Sequence, residues 1–492
     1  MPRTAAVAAA ASLTLVPLVQ APAAHAETGR TATVRSFDGV RLTAHFFPAA
    51  GLAPGRRAPT VMLGHGFGGR GETDPDGGQT GPLRRAGYNV VTWNARGFGS
   101  GGRAHLNYHR VEGRDSRVLI DWVARQPEAL ADRPGDPRLG MAGGSYGGGI
   151  QLLTAGLDPR VDVIVPVIAW NSLTDSLYPA RSFKSGWARL LCLAGHLAGN
   201  RVAPQVSQGC ATGLASGTVP PAVEAWIDDH DLDPQVRRIR IPTLLIQGTV
   251  DTLFPPSEAA ANHRILTANK VPLKMVWYCG GHGECGTGTG PKDHVTAVAL
   301  RWFDRYLKRD RSVRTGPAFE YIDQSGTFHG GTFPPPALPS VTTRVPGPRR
   351  LLVNDLNRSG SGTAAGRATN GLTIPLRTFA GHSVGAPRLS FTYQGRATRA
   401  RTHVYAQLVD KATGTVIGNQ ATPIPVVLDG RPHTVTRNLE MIAWRMSAAG
   451  EVALQIIPNT ALFDGQRALG SMTVSGLSLT LPRVRPGTVV AR

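Results

Sequence analysis

The run Leu139-Gly140-Met141-Ala142-Gly143-Gly144-Ser145-Tyr146-Gly147-Gly148-Gly149 constrains this chain more than any other stretch. A short apolar strand pattern stops on a glycine-flanked serine, and Ile150-Gln151-Leu152-Leu153 then continues as a helix. This pattern predicts a nucleophile elbow, in which small residues two before and two after the serine let a strained strand-to-helix turn close without a Cβ clash. The turn lifts the serine Oγ above a sheet and aims the N–H of the next residue, Tyr146, at a developing oxyanion. A chain of 492 residues with 59 glycines also matches Gly-x-Ser-x-Gly by chance, so context decides. Gly381-His382-Ser383-Val384-Gly385 fits the same pattern, but Arg388 to Tyr393 reads as a strand where an elbow needs a helix. That second match reads as a turn.

A serine at its ordinary pKa is a poor nucleophile, so Ser145 requires a base, and the base requires a carboxylate to orient it. Both follow in the order Ser, Asp, His. Asp251 closes the loop after the strand pattern Thr243 to Gln247, and His282 sits in the loop after Met275 to Tyr278. Three strand ends thus converge on one rim. A second oxyanion donor is expected from Gly64-His65-Gly66-Phe67-Gly68-Gly69, whose glycines let the N–H of Phe67 approach the reacting centre. The same residues spell a nominal dinucleotide fingerprint, Gly66-x-Gly68-x-x-Gly71. Turn-like sequence, Gly71 to Asp76, follows where that fingerprint needs a helix, so no nucleotide cofactor is expected.

Alternation of strand-like and helical runs organises the chain around these loops. Strand patterns cover Thr60–Leu63, Asn89–Trp93, Arg138–Ala142, Val161–Ile168, Thr243–Gln247 and Leu273–Tyr278, and helical spacing covers Asp115–Arg125 and Val295–Lys308. The implied fold class is α/β, a mostly parallel sheet covered on both faces, entered through a hairpin around Asp38-Gly39. Residues 171–240 interrupt the alternation with helix-like sequence and read as a cap inserted over the sheet's carboxyl edge. A proline-rich stretch, 331–349, reads as a linker between residues 27–330 and a second domain, 350–492. That domain carries short β-type runs at Thr402–Val409, Thr415–Ile417, Ile424–Leu428, Val452–Ile457 and Met472–Leu481, which predict a β-sandwich.

The first 26 residues combine Arg3, an apolar stretch from Ala5 to Val19, and Ala24-His25-Ala26, which together read as a secretory signal. In an exported chain four cysteines predict two disulfides, which we expect between neighbours: Cys192 with Cys210, and Cys279 with Cys285 around His282. The second group also spells Cys-x-x-His-x-x-Cys. No fourth ligand adjoins it, so no metal is expected there. A net charge of +20 predicts electrostatic attraction to an anionic wall or a solvated basic surface. From residue 341 onward eighteen Lys/Arg face six Asp/Glu, 18 − 6 = +12. No helix-turn-helix or basic-aromatic pattern points to nucleic acid.

At these residues the chain resembles the α/β-hydrolase family, and within it the X-Pro dipeptidyl-peptidase and cocaine-esterase-like group. The narrower likeness rests on Trp93-Asn94-Ala95-Arg96-Gly97-Phe98-Gly99-Ser100-Gly101-Gly102, on Gly143 to Gly148, on Pro166-Val167-Ile168-Ala169-Trp170-Asn171, and on Phe319 to Gln324 followed by Pro334-Pro335-Pro336. The resemblance implies a jelly-roll-like second domain and acyl transfer through a covalent acyl-enzyme. Ser145 would attack, His282 would shuttle the proton, Asp251 would hold the imidazolium, and the Tyr146 and Phe67 N–H groups would bind the oxyanion. Members of the group often place a tyrosine where this chain has Phe67, so a side-chain hydroxyl donor is not expected here. The sequence is read as X-Pro dipeptidyl-peptidase-like cleavage of peptides, with hydrolysis of small acyl esters as the alternative and, from another class, a wall-associated binding protein with a vestigial hydrolase domain. X-Pro cleavage needs an acidic anchor for the substrate's free amine. Asp228, Asp229, Asp231 and Asp233 of the cap could supply it or form a solvated acidic turn.

Overall fold

The computed structural model describes residues 29–490 apart from 200, 357 and 464–466. The signal read over residues 1–26 lies outside the described residues. The chain opens as the expected hairpin, β1 (Arg30–Arg35) against β2 (Arg41–Phe47), with Arg35 opposite Arg41 across the Asp38-Gly39 turn. Eight further strands of the main sheet are β3 (Thr60–Gly64), β4 (Asn89–Trp93), β5 (Leu139–Gly144), β6 (Val161–Val167), β7 (Thr243–Gly248), β8 (Leu273–Tyr278), β9 (Phe319–Ile322) and β10 (Phe328–Gly331). They lie in the order β1-β2-β4-β3-β5-β6-β7-β8-β9-β10. From β4 to β9 every neighbouring pair is parallel.

Strand alternation divides the apolar residues between two cores. Met62, Met141, Ile164 and Leu245 face one side, and Val61, Leu63, Val163, Val165, Leu244 and Ile246 face the other. Helices α1 (Glu112–Val123) and α2 (Tyr146–Ala155) cover the first side through Leu119, Ile120, Leu152 and Leu153. Val298, Trp302 and Phe303 of the helix His294–Tyr306 cover the second. A parallel sheet buried on both faces puts its loops, and hence its chemistry, at the carboxyl edge. There the helical insertion between β6 and β7 forms a cap. Its longest helices are α3 (Ser185–Leu197) and α4 (Pro204–Ser216), joined by a Cys192–Cys210 disulfide and followed by α5 (Pro221–Asp228).

The second domain is an antiparallel sandwich with its own core, which includes Leu389, Phe391, Val404, Ile424, Leu454 and Leu479. Its strands run longer than the sequence patterns suggest: Arg388–Asp410 is continuous, and so is Thr422–Asn438. Three local readings differ from the structure. Within the 331–349 stretch read as a linker, Ala337–Val345 is a strand paired with Gly470–Val484, and its register shifts between Leu338 and Val341, where Pro339 cannot donate to the ladder. Gly381–Gly385, read as a turn, is a strand in which the buried Ser383 hydroxyl donates to the Pro482 carbonyl at 2.7 Å. Thr415–Ile417, read as a strand, makes only a Val416 bridge to Val409 before a 3₁₀ turn with Gly418 at φ 70°. The last strand, Thr488–Val489, returns to pair with β10 and ties the two domains together. Among the described residues no helix is long and apolar enough to cross a membrane.

Candidate active site

Ser145 stands at the turn between β5 and α2 with φ 59° and ψ −120°, a strained backbone that its neighbours enforce. A Cβ on Gly143 would lie 2.3 Å from the Gly64 carbonyl oxygen, and one on Gly147 would lie 2.1 Å from the same atom. The two glycines of the motif therefore let the elbow pack against the end of β3, the strand that carries the Phe67 loop. Asn107, itself at φ 60°, donates from Nδ2 to the Tyr146 carbonyl at 2.8 Å. Beneath it Glu112 accepts from the Tyr108 N–H at 3.0 Å and from the Tyr146 hydroxyl at 3.4 Å, and burial pushes its carboxyl up to about 7.

His282 Nε2 lies 2.8 Å from Ser145 Oγ, and His282 Nδ1 lies 2.7 Å from Asp251 Oδ2. Because a carboxylate can only accept, the network assigns the proton to Nδ1 and leaves Nε2 to accept from the serine hydroxyl. Asp251, fully buried, also takes the His282 N–H on Oδ2 at 3.1 Å and the Leu253 and Phe254 N–H groups on Oδ1 at 3.0 and 2.8 Å. Its lone pairs are thus filled by partners that fix its plane. Phe254 and Trp187 meet the imidazole edge-on, with ring centroids 5.2 and 5.7 Å away. The Cys279–Cys285 disulfide closes the loop that carries His282. These cysteines are bonded to each other, so their thiolates are not available to a metal. Among the described residues the Phe67 and Tyr146 N–H groups have no hydrogen-bond acceptor within the protein.

The acid loop is held by side chains that no sequence pattern marks. From the cap, Lys184 Nζ donates to the Thr252 and Leu253 carbonyls at 2.8 and 3.2 Å, and Trp187 Nε1 donates to Thr252 Oγ1 at 2.9 Å. From the second domain, Gln420 Nε2 donates to the Asp251 carbonyl, Thr252 Oγ1 donates to the Thr363 carbonyl, and Asn419 Nδ2 reaches the Glu284 carbonyl at 3.0 Å beside His282. Burial pushes the Lys184 ammonium down to about 8, against the opposing pull of Glu440, Asp251 and Glu258.

A cavity of about 120 Å³ opens on Ser145 beneath the cap, walled by residues such as Leu173, Phe183, Leu191, Val223, Trp226 and Phe254. Lys184 is its one charged lining residue, and no carboxylate lines it among the described residues. The four cap aspartates face other partners. Asp228 accepts from the Thr174 hydroxyl, Asp229 from the Tyr108 hydroxyl at 2.7 Å and Asp231 from the Leu173 N–H at 2.7 Å, while Asp233 pairs with Arg237 at 2.6 Å.

The family profile described as X-Pro dipeptidyl-peptidase (S15 family) matches residues 38–284, a span that includes Phe67, Ser145, Asp251 and His282. A search of curated proteins returns no match. Among solved structures, an aminopeptidase from a marine sediment archaeon of the Thaumarchaeota superposes with a TM-score of 0.69 at 13% identity, covering 98% of this chain and 99% of that one. A CocE/NonD family hydrolase from Staphylococcus aureus gives 0.64 at 13% identity, covering 93% of each chain. An alpha-amino acid ester hydrolase gives 0.67 at 13% identity, covering 96% of this chain and 100% of that one. At this identity the likeness establishes the fold, an α/β-hydrolase sheet with a β-sandwich behind it.

Proposed function

Since the chain belongs to the X-Pro dipeptidyl-peptidase (S15) family of hydrolases, we propose that it is an exported serine hydrolase whose Ser145 forms an acyl-enzyme with an uncharged, apolar acyl group. His282 Nε2 takes the Ser145 proton as Oγ attacks the carbonyl, then delivers that proton to the leaving oxygen or nitrogen as the bond to it breaks. Asp251 keeps the imidazole in the tautomer that can accept and stabilises the imidazolium. The Tyr146 and Phe67 N–H groups bind the oxyanion. His282 then takes a proton from water as that water attacks the acyl carbon, and gives it to Ser145 Oγ as the acyl–Oγ bond breaks and the carboxylic acid leaves.

The observation that carries the substrate class is the cavity. It is apolar, lacks a carboxylate to hold a free ammonium, and contains Lys184, which repels one. These features favour acyl esters. Cleavage of X-Pro peptides is the second reading, favoured by the family description itself. Two disulfides support export, because such bonds persist in oxidising compartments. The test compares short-chain p-nitrophenyl esters with Gly-Pro and Ala-Pro p-nitroanilides, using Ser145→Ala as control. Turnover of the esters alone, lost by about 10³-fold or more in Ser145→Ala, is the expected result. Ser145-dependent release from the anilides would move the assignment to the peptidase reading, and turnover unchanged in Ser145→Ala would refute both.

A further inference from the structure

We propose that the outer face of α3 docks the enzyme on an anionic lipid surface and delivers lipid-like acyl esters from it to the Ser145 cavity. This inference rests on the acyl-ester reading above. Helix α3 is apolar on two opposite sides. Ala188, Leu191 and Cys192 line the cavity, while Leu190, Leu193 and Leu197 are 47%, 53% and 76% exposed. Spacings of three and four residues put these leucines in one stripe. A helix that is apolar all round belongs inside a core or against lipid, and this one has solvent on one side.

The surrounding charge suits an anionic partner. No aspartate or glutamate occurs between Asp175 and Glu224, and Arg201 is exposed four residues beyond the end of α3. An apolar stripe with a cation beyond its end and no acidic residue along its segment suits a helix that lies in a headgroup layer. A second groove, of about 300 Å³, lies between α3 and α4 and is lined by Phe67, Leu191, Gly195, Val206 and Leu214. It shares Phe67, Leu191, Val206 and the Cys192–Cys210 disulfide with the cavity at Ser145. Apolar lining therefore runs from beside the exposed stripe to the serine. The stripe itself spans about 10 Å of helix. A stable dimer needs roughly 800 Å² per partner, far more than this stripe offers, so lipid suits it better than a second copy.

The experiment co-sediments the purified protein with phosphatidylglycerol/phosphatidylcholine vesicles and compares it with the triple variant Leu190→Gln, Leu193→Gln, Leu197→Gln, while p-nitrophenyl butyrate in solution reports the site. The expected result is that the triple variant loses about tenfold or more in vesicle affinity and keeps its turnover of the soluble ester. The single variant Leu197→Glu, at the most exposed position, shifts affinity the same way by a smaller factor. Equal sedimentation of native and triple variant, failure of the native protein to bind, or a dimer in solution that the triple variant abolishes would each overturn the docking face. Leucine-dependent vesicle binding with no butyrate turnover would retain that face and overturn the acyl-ester reading beneath it.

Discussion

The nucleophile elbow and the acid loop reach the same few ångströms of space by different routes. Ser145 is placed by contacts that its own motif spells out, since Gly143 and Gly147 both press on Gly64 at the end of the neighbouring strand. Asp251 is placed from afar: Lys184 and Trp187 come down from the cap, and Thr363 and Gln420 come across from the second domain, more than a hundred residues along the chain. The elbow is rigid because backbone meets backbone. The acid loop is rigid because two other bodies hold it. The cap and the sandwich thus join the main sheet as parts of one site.

That contrast makes the elbow the less forgiving of the two. Gly147→Ala puts a Cβ within 2.1 Å of the Gly64 oxygen and is expected to cost about 1–3 kcal/mol of stability and about 10²-fold or more in kcat. Thermal melts alongside ester kinetics check both, and native-like values would show that the elbow has slack that the packing denies. Gln420→Ala leaves the buried Asp251 carbonyl without its cross-domain donor and is expected to lower kcat about tenfold with little change in KM. A loss confined to Tm, with kcat intact, would reduce the second domain to a scaffold.

The smallest effect compares the two regions by pH. Each holds a carboxyl that burial pushes up to about 7: Glu112 under the elbow, and Glu258 behind the acid loop, where it accepts the Asn171 and Ser172 N–H groups. A carboxyl whose folded pKa is raised favours the fold while protonated. Its contribution is complete below the unfolded value near 4.5 and is lost as pH rises through about 7. Measured against the native protein, Glu258→Gln, which keeps an acceptor oxygen, should therefore gain in melting temperature as pH rises across that window. A variant-to-native difference that does not change with pH would contradict the raised Glu258 carboxyl.

Legibility follows the same division. The strands, the hairpin and the Ser, Asp and His loops could be located because periodicity and glycine placement act within a few residues. The cysteine pairing was likewise legible from neighbours. Lys184, Gln420 and Thr363 gave no local signal, because their roles exist only after distant segments meet. The strand at Ala337–Val345 was hidden by the prolines around it, and Gly381–Gly385 by glycines that more often mark turns. The cap aspartates illustrate the opposite case: a cluster conspicuous in sequence spends three carboxylates on hydrogen bonds to Tyr108, Leu173 and Thr174 and one on an ion pair with Arg237.

Mapping a fluorophosphonate adduct on the native protein by peptide mass spectrometry reads out the activation of Ser145, since only a serine activated by its base and faced by oxyanion donors reacts readily. A single stoichiometric adduct is expected on the peptide containing Ser145, abolished in Asp251→Ala. Absence of an adduct, or an adduct on another serine such as Ser383, would contradict that activation.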